Sequence, residues 1–231
     1  EDGKTCRAVV LDISARKQAE ERRAAVAELL RICQTSVSIP QILGELLAFF
    51  KGLTGCEAVG IRLHLGDDFP YYLTTGFDHS FVIAERSLCA VNCKGEPERG
   101  PDGKPILECM CGTVLCGRTD PAKSFFTRNG SFWSNCTTEL LASTTEEDRQ
   151  GHTRNRCNSA GYESVALVPI RAQETVLGLF QFNDKRRDCF SIERIQMIEH
   201  LVKFVALALA NPEAREALRE SEEKYRYVFD H

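Results

Sequence analysis

The sequence predicts an α+β domain, an antiparallel sheet flanked by helices from both ends of the chain. Three observations carry this prediction. Residues 26–53 hold two successive apolar stripes at helical spacing; residues 163–170 (ESVALVPI) and 176–183 (VLGLFQFN) read as strands around a short polar turn; and a long amphipathic helix opens at Ser191.

Taken in order, residues 5–13 (TCRAVVLDI) are β-branched and apolar and read as a strand, and Ser14 is an N-cap for the charged run 15–23. Val26, Leu29, Leu30, Cys33 and Val37 recur at helical spacing and give one apolar face, in which Cys33 serves as a small core residue. After Ser38-Ile39-Pro40 a second helix runs to about Leu53, with Ile42, Leu43, Leu46, Leu47 and Phe50 inward and Gly52 and Gly55 near its end. Residues 58–65 (AVGIRLHL) alternate as a strand, Gly66-Asp67-Asp68 turns, and 69–77 return. Residues 81–88 carry no clear period. Residues 125–133 hold a short strand with an Asn129-Gly130 turn, and 137–157 read as helical, with Thr144-Thr145-Glu146-Glu147 as cap and acidic first turn. In the last helix Ile195, Ile198, Val202, Val205 and Leu209 form a stripe with Leu201 beside it. Pro212 interrupts the path, and 215–227 form a charged helical connector.

Composition bounds the function. With 231 residues, 43% hydrophobic and 27% charged, the chain can bury a core. A net charge of −4 and a pI near 5.8 give no basic stripe for nucleic acid. No apolar run reaches the roughly 18 residues that span a bilayer, and the first residues lack the pattern of a signal peptide, so the expected location is cytoplasmic, without membrane contact. Eleven cysteines, an odd number and about 5% of the chain, fall below the density of a disulfide scaffold. In a reducing compartment they are available as ligands, attachment points or redox sensors.

Five of those cysteines lie within residues 88–116 (LCAVNCKGEPERGPDGKPILECMCGTVLC): Cys89 and Cys93 at C-x3-C, then Cys109, Cys111 and Cys116 at C-x-C-x4-C. The Gly/Pro-rich stretch 95–105 between them lets two short segments fold back on one another toward a common site. Cys109 and Cys111 are two apart, so on an extended segment both face one way and suit shared ligation. The first pair fits the loose spacing of zinc sites; the second group does not match the plant-type ferredoxin pattern. The alternative is a loop of free cysteines. A second possibility is a thiol switch, in which Arg118, Arg154 and Arg156 lower the pKa of Cys116, Cys136 or Cys157. Phe125, Phe126, Phe132 and Trp133 would line a small-molecule pocket or simply fill core. Catalysis is not expected: the chain has no phosphate loop, zinc-protease helix or nucleophile elbow.

The element order resembles a GAF domain over residues 26–210, with the cysteine-rich insertion at 88–117. The likeness rests on the second helix entering the first hairpin, on YESVALVPIRAQETVLGLFQF, and on the closing run CFSIERIQMIEHLVKFVALALA. Asp12-Ile13-Ser14 followed by ARKQAEE resembles the end of a PAS domain (residues 1–14) and its helical linker (15–25). ALRESEEKYRYVFDH, within 211–231, resembles a linker and the start of a second PAS domain. This layout is similar to that of cytoplasmic two-component sensor histidine kinases. It implies a signal-input domain, not itself an enzyme, in a parent chain that is a histidine kinase. It implies redox or ligand sensing through the cysteine-rich segment, by an iron–sulfur cluster, haem, zinc or thiol switch; the alternative is a cofactor-free spacer and dimerisation module. Some such kinases attach haem to a GAF cysteine with an axial histidine, which makes His152 the candidate beside Cys109, Cys111 and Cys116, although C-x-x-C-H is absent. The implied partners are a second copy through the terminal helices, the adjacent PAS and kinase domains, and a response regulator.

Overall fold

A computed structural model describes residues 14–35 and 38–210. The expected PAS-like segments, Pro212 and the final connector lie outside the described residues.

Helix α1 (Ser14–Thr35) and helix α2 (Ile39–Thr54) come first. The Ser38 hydroxyl accepts the Gln41 backbone N–H, Pro40 occupies the first turn where no N–H is needed, and Gly55 closes the helix at φ 63°. The helix therefore starts at Ile39, two residues before the expected start after Pro40, and ends on a glycine that the sequence placed near its end. In α1, Leu29 is buried with Val26 and Cys33 packed against the same core, as the predicted stripe requires; Ala25 and Ile32 join them, while Leu30 is 40% exposed.

Strand β1 (Ala58–Leu63) pairs antiparallel with β2 (Tyr71–Thr75) and with β5 (Thr175–Asp184); β5 pairs with β4 (Ser164–Ala172), and β4 with β3 (Phe132–Ser134). The sheet order is β2-β1-β5-β4-β3. The predicted antiparallel sheet with flanking helices is the observed architecture. Its central strands are covered on both faces. On one side Val59, Ile61, Val168, Phe180 and Phe182 pack against α1, α2 and the closing helix α7 (Ile192–Ala210), around Phe50 at 0% exposure.

The other face is covered by short elements and loops: α3 (His79–Ala84), α4 (Cys109–Leu115), α5 (Thr137–Ser143) and α6 (Arg156–Ser159). Leu88, Leu107, Val114, Phe132, Leu167 and Leu179 form their common core. Here the sequence reading needs two corrections. Residues 81–88 begin as helix, and the long helix expected over 137–157 is two short ones separated by turns. Left-handed residues at Gln150 and Asn155 (φ 61° and 57°) interrupt it.

Candidate functional site

Strand alternation sets the floor of the site. On β5, Phe180 and Phe182 point to the helices, so Gln181 and Asn183 point to the opposite face, at 1% and 0% exposure. Polar side chains buried there must find partners. Gln181 receives the Tyr71 hydroxyl at 2.8 Å and donates to Asn183 Oδ1 at 3.0 Å. Arg62 on β1 faces the same way at 0% exposure. Its guanidinium donates to the carbonyls of Phe69 (3.0 Å) and Glu85 (2.7 Å) and lies 3.6 Å over the Tyr71 ring.

Two thiols meet this polar row. Cys111 Sγ lies 3.8 Å from Gln181 Oε1, and Gln181 Nε2 lies 3.6 Å from Cys157 Sγ. A third thiol, Cys109, stands at the start of α4 with φ 61°, its N–H bonded to the His152 carbonyl at 2.8 Å. Its Sγ accepts the Arg154 backbone N–H at 3.1 Å and faces Arg154 Nε at 3.5 Å. All three thiols line one cavity, together with Glu85, Arg149 and Thr153. Met110, Phe132, Leu140 and Leu167 supply apolar wall.

Burial dominates the protonation chemistry. It pushes the Cys157 thiol up to about 12 and Cys111 strongly upward, so both stay protonated. Burial also raises Cys109, but the hydrogen bonds from Arg154 oppose it directly. Of the three, Cys109 is therefore the thiol whose thiolate the surroundings disfavour least. Glu85, 4% exposed, is raised by burial in spite of Arg154, Arg62 and Arg156. Its Oε1 lies 3.1 Å from Arg156 Nε and 3.8 Å from Arg154 Nε.

The five cysteines of residues 88–116 do not share a site. Cys109 and Cys111 sit on a helix, where positions two apart diverge by about 200°; the expected extended segment is absent because Gly112 seats α4 directly on the Leu107 backbone, where a Cβ would stand 2.5 Å away. Cys89 is buried against Asp67 O, and burial pushes it up to about 11. Cys93 and Cys116 are exposed. His152 lies outside the cavity, 59% exposed, with Nδ1 2.6 Å from Glu146 Oε1. Among the described residues, no three His, Cys, Asp or Glu side chains are placed to hold a metal ion. The guanidinium of Arg154 serves Cys109, not Cys157, and burial raises Cys136 as well. Of the four aromatics proposed as lining, Phe132 lines the cavity; Phe125 and Phe126 are core, and Trp133 packs on the helical side.

The sequence reading missed Arg62, Glu85, Arg149, Gln181 and Asn183. A signal existed for three of them: an arginine in AVGIRL, and a glutamine and an asparagine alternating with phenylalanines in LFQFN, are polar residues at buried strand positions.

No protein-family model matches the chain, and no curated protein does. Solved structures do. The GAF domain of a phosphoenolpyruvate-protein phosphotransferase from Coxiella burnetii superposes with a TM-score of 0.58 at 13% identity, over 86% of this chain and 98% of that one. A free methionine-R-sulfoxide reductase from Neisseria meningitidis, in complex with its substrate, gives 0.55 at 14% identity, over 92% and 98%. That of Staphylococcus aureus gives 0.54 at 16%, over 82% and 95%. The fold is GAF-like. The likeness to these reductases overturns the expectation that the chain is not an enzyme, because this fold houses enzymes as well as binding domains. Among the described residues no helix is long and apolar enough to cross a membrane.

Proposed function

We propose that this is a sensory input domain whose working site is the cavity lined by Cys109, Cys111 and Cys157. The observation that carries the reading is the convergence of three thiols on one cavity with a buried polar floor. Cys109 is the responsive group. Hydrogen peroxide would transfer one oxygen to its sulfur: the S–O bond forms as the O–O bond breaks, and the leaving hydroxide takes the thiol proton as water. The resulting sulfenic acid would disturb the Arg154 contact and, through it, Glu85. Leu167 on β4 lines the cavity while Ala166 and Val168 pack on the opposite face toward α7, so a shift of β4 reaches the terminal helices. Those helices are the proposed dimer contact and the route to neighbouring signalling domains.

The test follows Trp133, the single tryptophan, which neighbours cavity residue Phe132 on β3. Hydrogen peroxide should change its fluorescence in the reduced protein, with oxygen found on Cys109 by peptide mass spectrometry. Cys109→Ser should abolish the change while Cys93→Ser and Cys116→Ser leave it intact. A response that survives Cys109→Ser overturns the reading.

The strained, Arg154-bonded Cys109 also favours a second reading, reduction of a small sulfoxide. Oxygen would pass from the sulfoxide to Cys109, releasing the thioether and leaving a sulfenic acid, which a second thiol would convert to a disulfide with loss of water. Incubating the reduced protein with free methionine sulfoxide and measuring methionine tests it; no Cys109-dependent product rules it out.

A further inference from the structure

Arg149 is 7% exposed, yet its charge is not matched. Nη1 donates to the Thr144 carbonyl at 2.7 Å and to the Thr144 hydroxyl at 2.8 Å, both neutral acceptors, while Nε is buried without a partner. No carboxylate among the described residues lies within ion-pair distance of it. The nearby acids are engaged elsewhere: Glu85 with Arg156 and Arg154, and Glu108 with Arg154 at 3.6 Å. Beside Arg149 on the cavity wall, Thr153 is 7% exposed and its hydroxyl is likewise buried without a partner. A buried guanidinium without a counter-charge and a buried hydroxyl without a partner are both costly, and both are relieved by one anion.

We infer that the cavity is a binding site for a small organic monocarboxylate, with its carboxylate on Arg149 Nε and the Thr153 hydroxyl and its apolar chain along Met110, Leu140 and Leu167. The donor set decides the class. Arg149 Nε and the Thr153 hydroxyl, with one formal positive charge behind them, match the two oxygens of a carboxylate, whereas a dianionic phosphate would bring more charge than Arg149 offsets. The apolar remainder of the wall excludes a purely polar anion and favours an aliphatic body. Arg154 and Arg156 are already neutralised by Glu85 and Glu108, so the ligand's charge belongs at Arg149. The inference rests on the reading of this cavity as the working site, and it names what enters there.

The experiment is calorimetric titration of the reduced, full-length chain with hexanoate and with hexanamide at fixed ionic strength, extended to butyrate and octanoate. Hexanoate should bind at least about tenfold more tightly than hexanamide, the difference expected for a charge-assisted pair over a neutral one. Thr153→Val, which removes only the unpartnered hydroxyl, should keep the fold by circular dichroism and weaken hexanoate by about fivefold, the scale of one hydrogen bond. Thr153→Ser should restore it. Arg149→Gln should abolish the preference for hexanoate over hexanamide; if that variant fails to fold, the threonine pair still decides. Equal binding of acid and amide, no binding by any of the three acids, or affinity unchanged in Thr153→Val would each overturn the inference. A protein that binds none of the acids while Cys109 still answers peroxide would lose the carboxylate site and keep the thiol reading. Carboxylate binding with a Cys109 that ignores peroxide would do the reverse.

Discussion

At Asp184 the carboxylate is 2% exposed and accepts from Arg186 Nε at 2.9 Å, from Arg186 Nη2 at 2.7 Å and from the Glu57 N–H at 3.1 Å. These bonds, the Arg186 side chain first, hold its pKa down to about 2. A folded-state value below the unfolded one means the stabilisation is present above the ordinary carboxylate range and is lost as pH falls from about 4 toward 2. Because Arg186 is largely exposed, solvent screens the pair, and Asp184→Asn should cost about 1–2 kcal/mol at neutral pH and flatten the acid limb of the stability curve, as read by urea unfolding across pH. Arg62 carries a larger stake. Replacing it by methionine leaves the Phe69 and Glu85 carbonyls without their donor in a dry site, and about 2–5 kcal/mol of stability should disappear in the same assay. A loss under 1 kcal/mol would show that those carbonyls find water.

At the scale of elements, the two faces of the sheet do different work. Phe50 on α2 meets Phe180 and Phe182 with ring centroids 4.7 and 5.9 Å away, and Phe50→Ala should cost about 3–5 kcal/mol without altering the thiols on the far side. On the site face α4 is held by close backbone approach. Gly112→Ala would drive a Cβ into the Leu107 backbone, so α4 must move and Cys111 must leave Gln181. Iodoacetamide should then label Cys111 faster in the folded variant than in the wild type, measured by mass spectrometry; an unchanged rate would mean α4 is not seated this way. Gly55 is different: its left-handed φ of 63° serves only to end α2, and a substitution there would weaken the cap while leaving the site alone.

For the whole molecule, residues far apart in sequence decide the site. Cys109 receives its contacts from Arg154, Glu85 pairs with Arg156, and Cys111 and Cys157 both reach Gln181. Filling the cavity should therefore stabilise the domain as a unit, and hexanoate at a hundred times its dissociation constant should add about 2.7 kcal/mol of stability, seen as a raised melting temperature. The sequence by itself determined the helices at both ends, the closing glycine of α2, the hairpin, the β4–β5 pair and hence the α+β class, because period and helix-stop signals are local properties that the order of residues records directly. It also singled out the segment holding Cys109 and Cys111. What it misjudged was their geometry, since a strand-like spacing of two was overridden by packing of Gly112 on Leu107. Only the tertiary structure decided that Cys157 joins them while Cys93 and Cys116 do not, and that Arg149 is left with an unanswered charge. Those outcomes depend on which buried polar group finds a partner across the fold, and desolvation acts on neighbours in space, of which the order of residues carries no record.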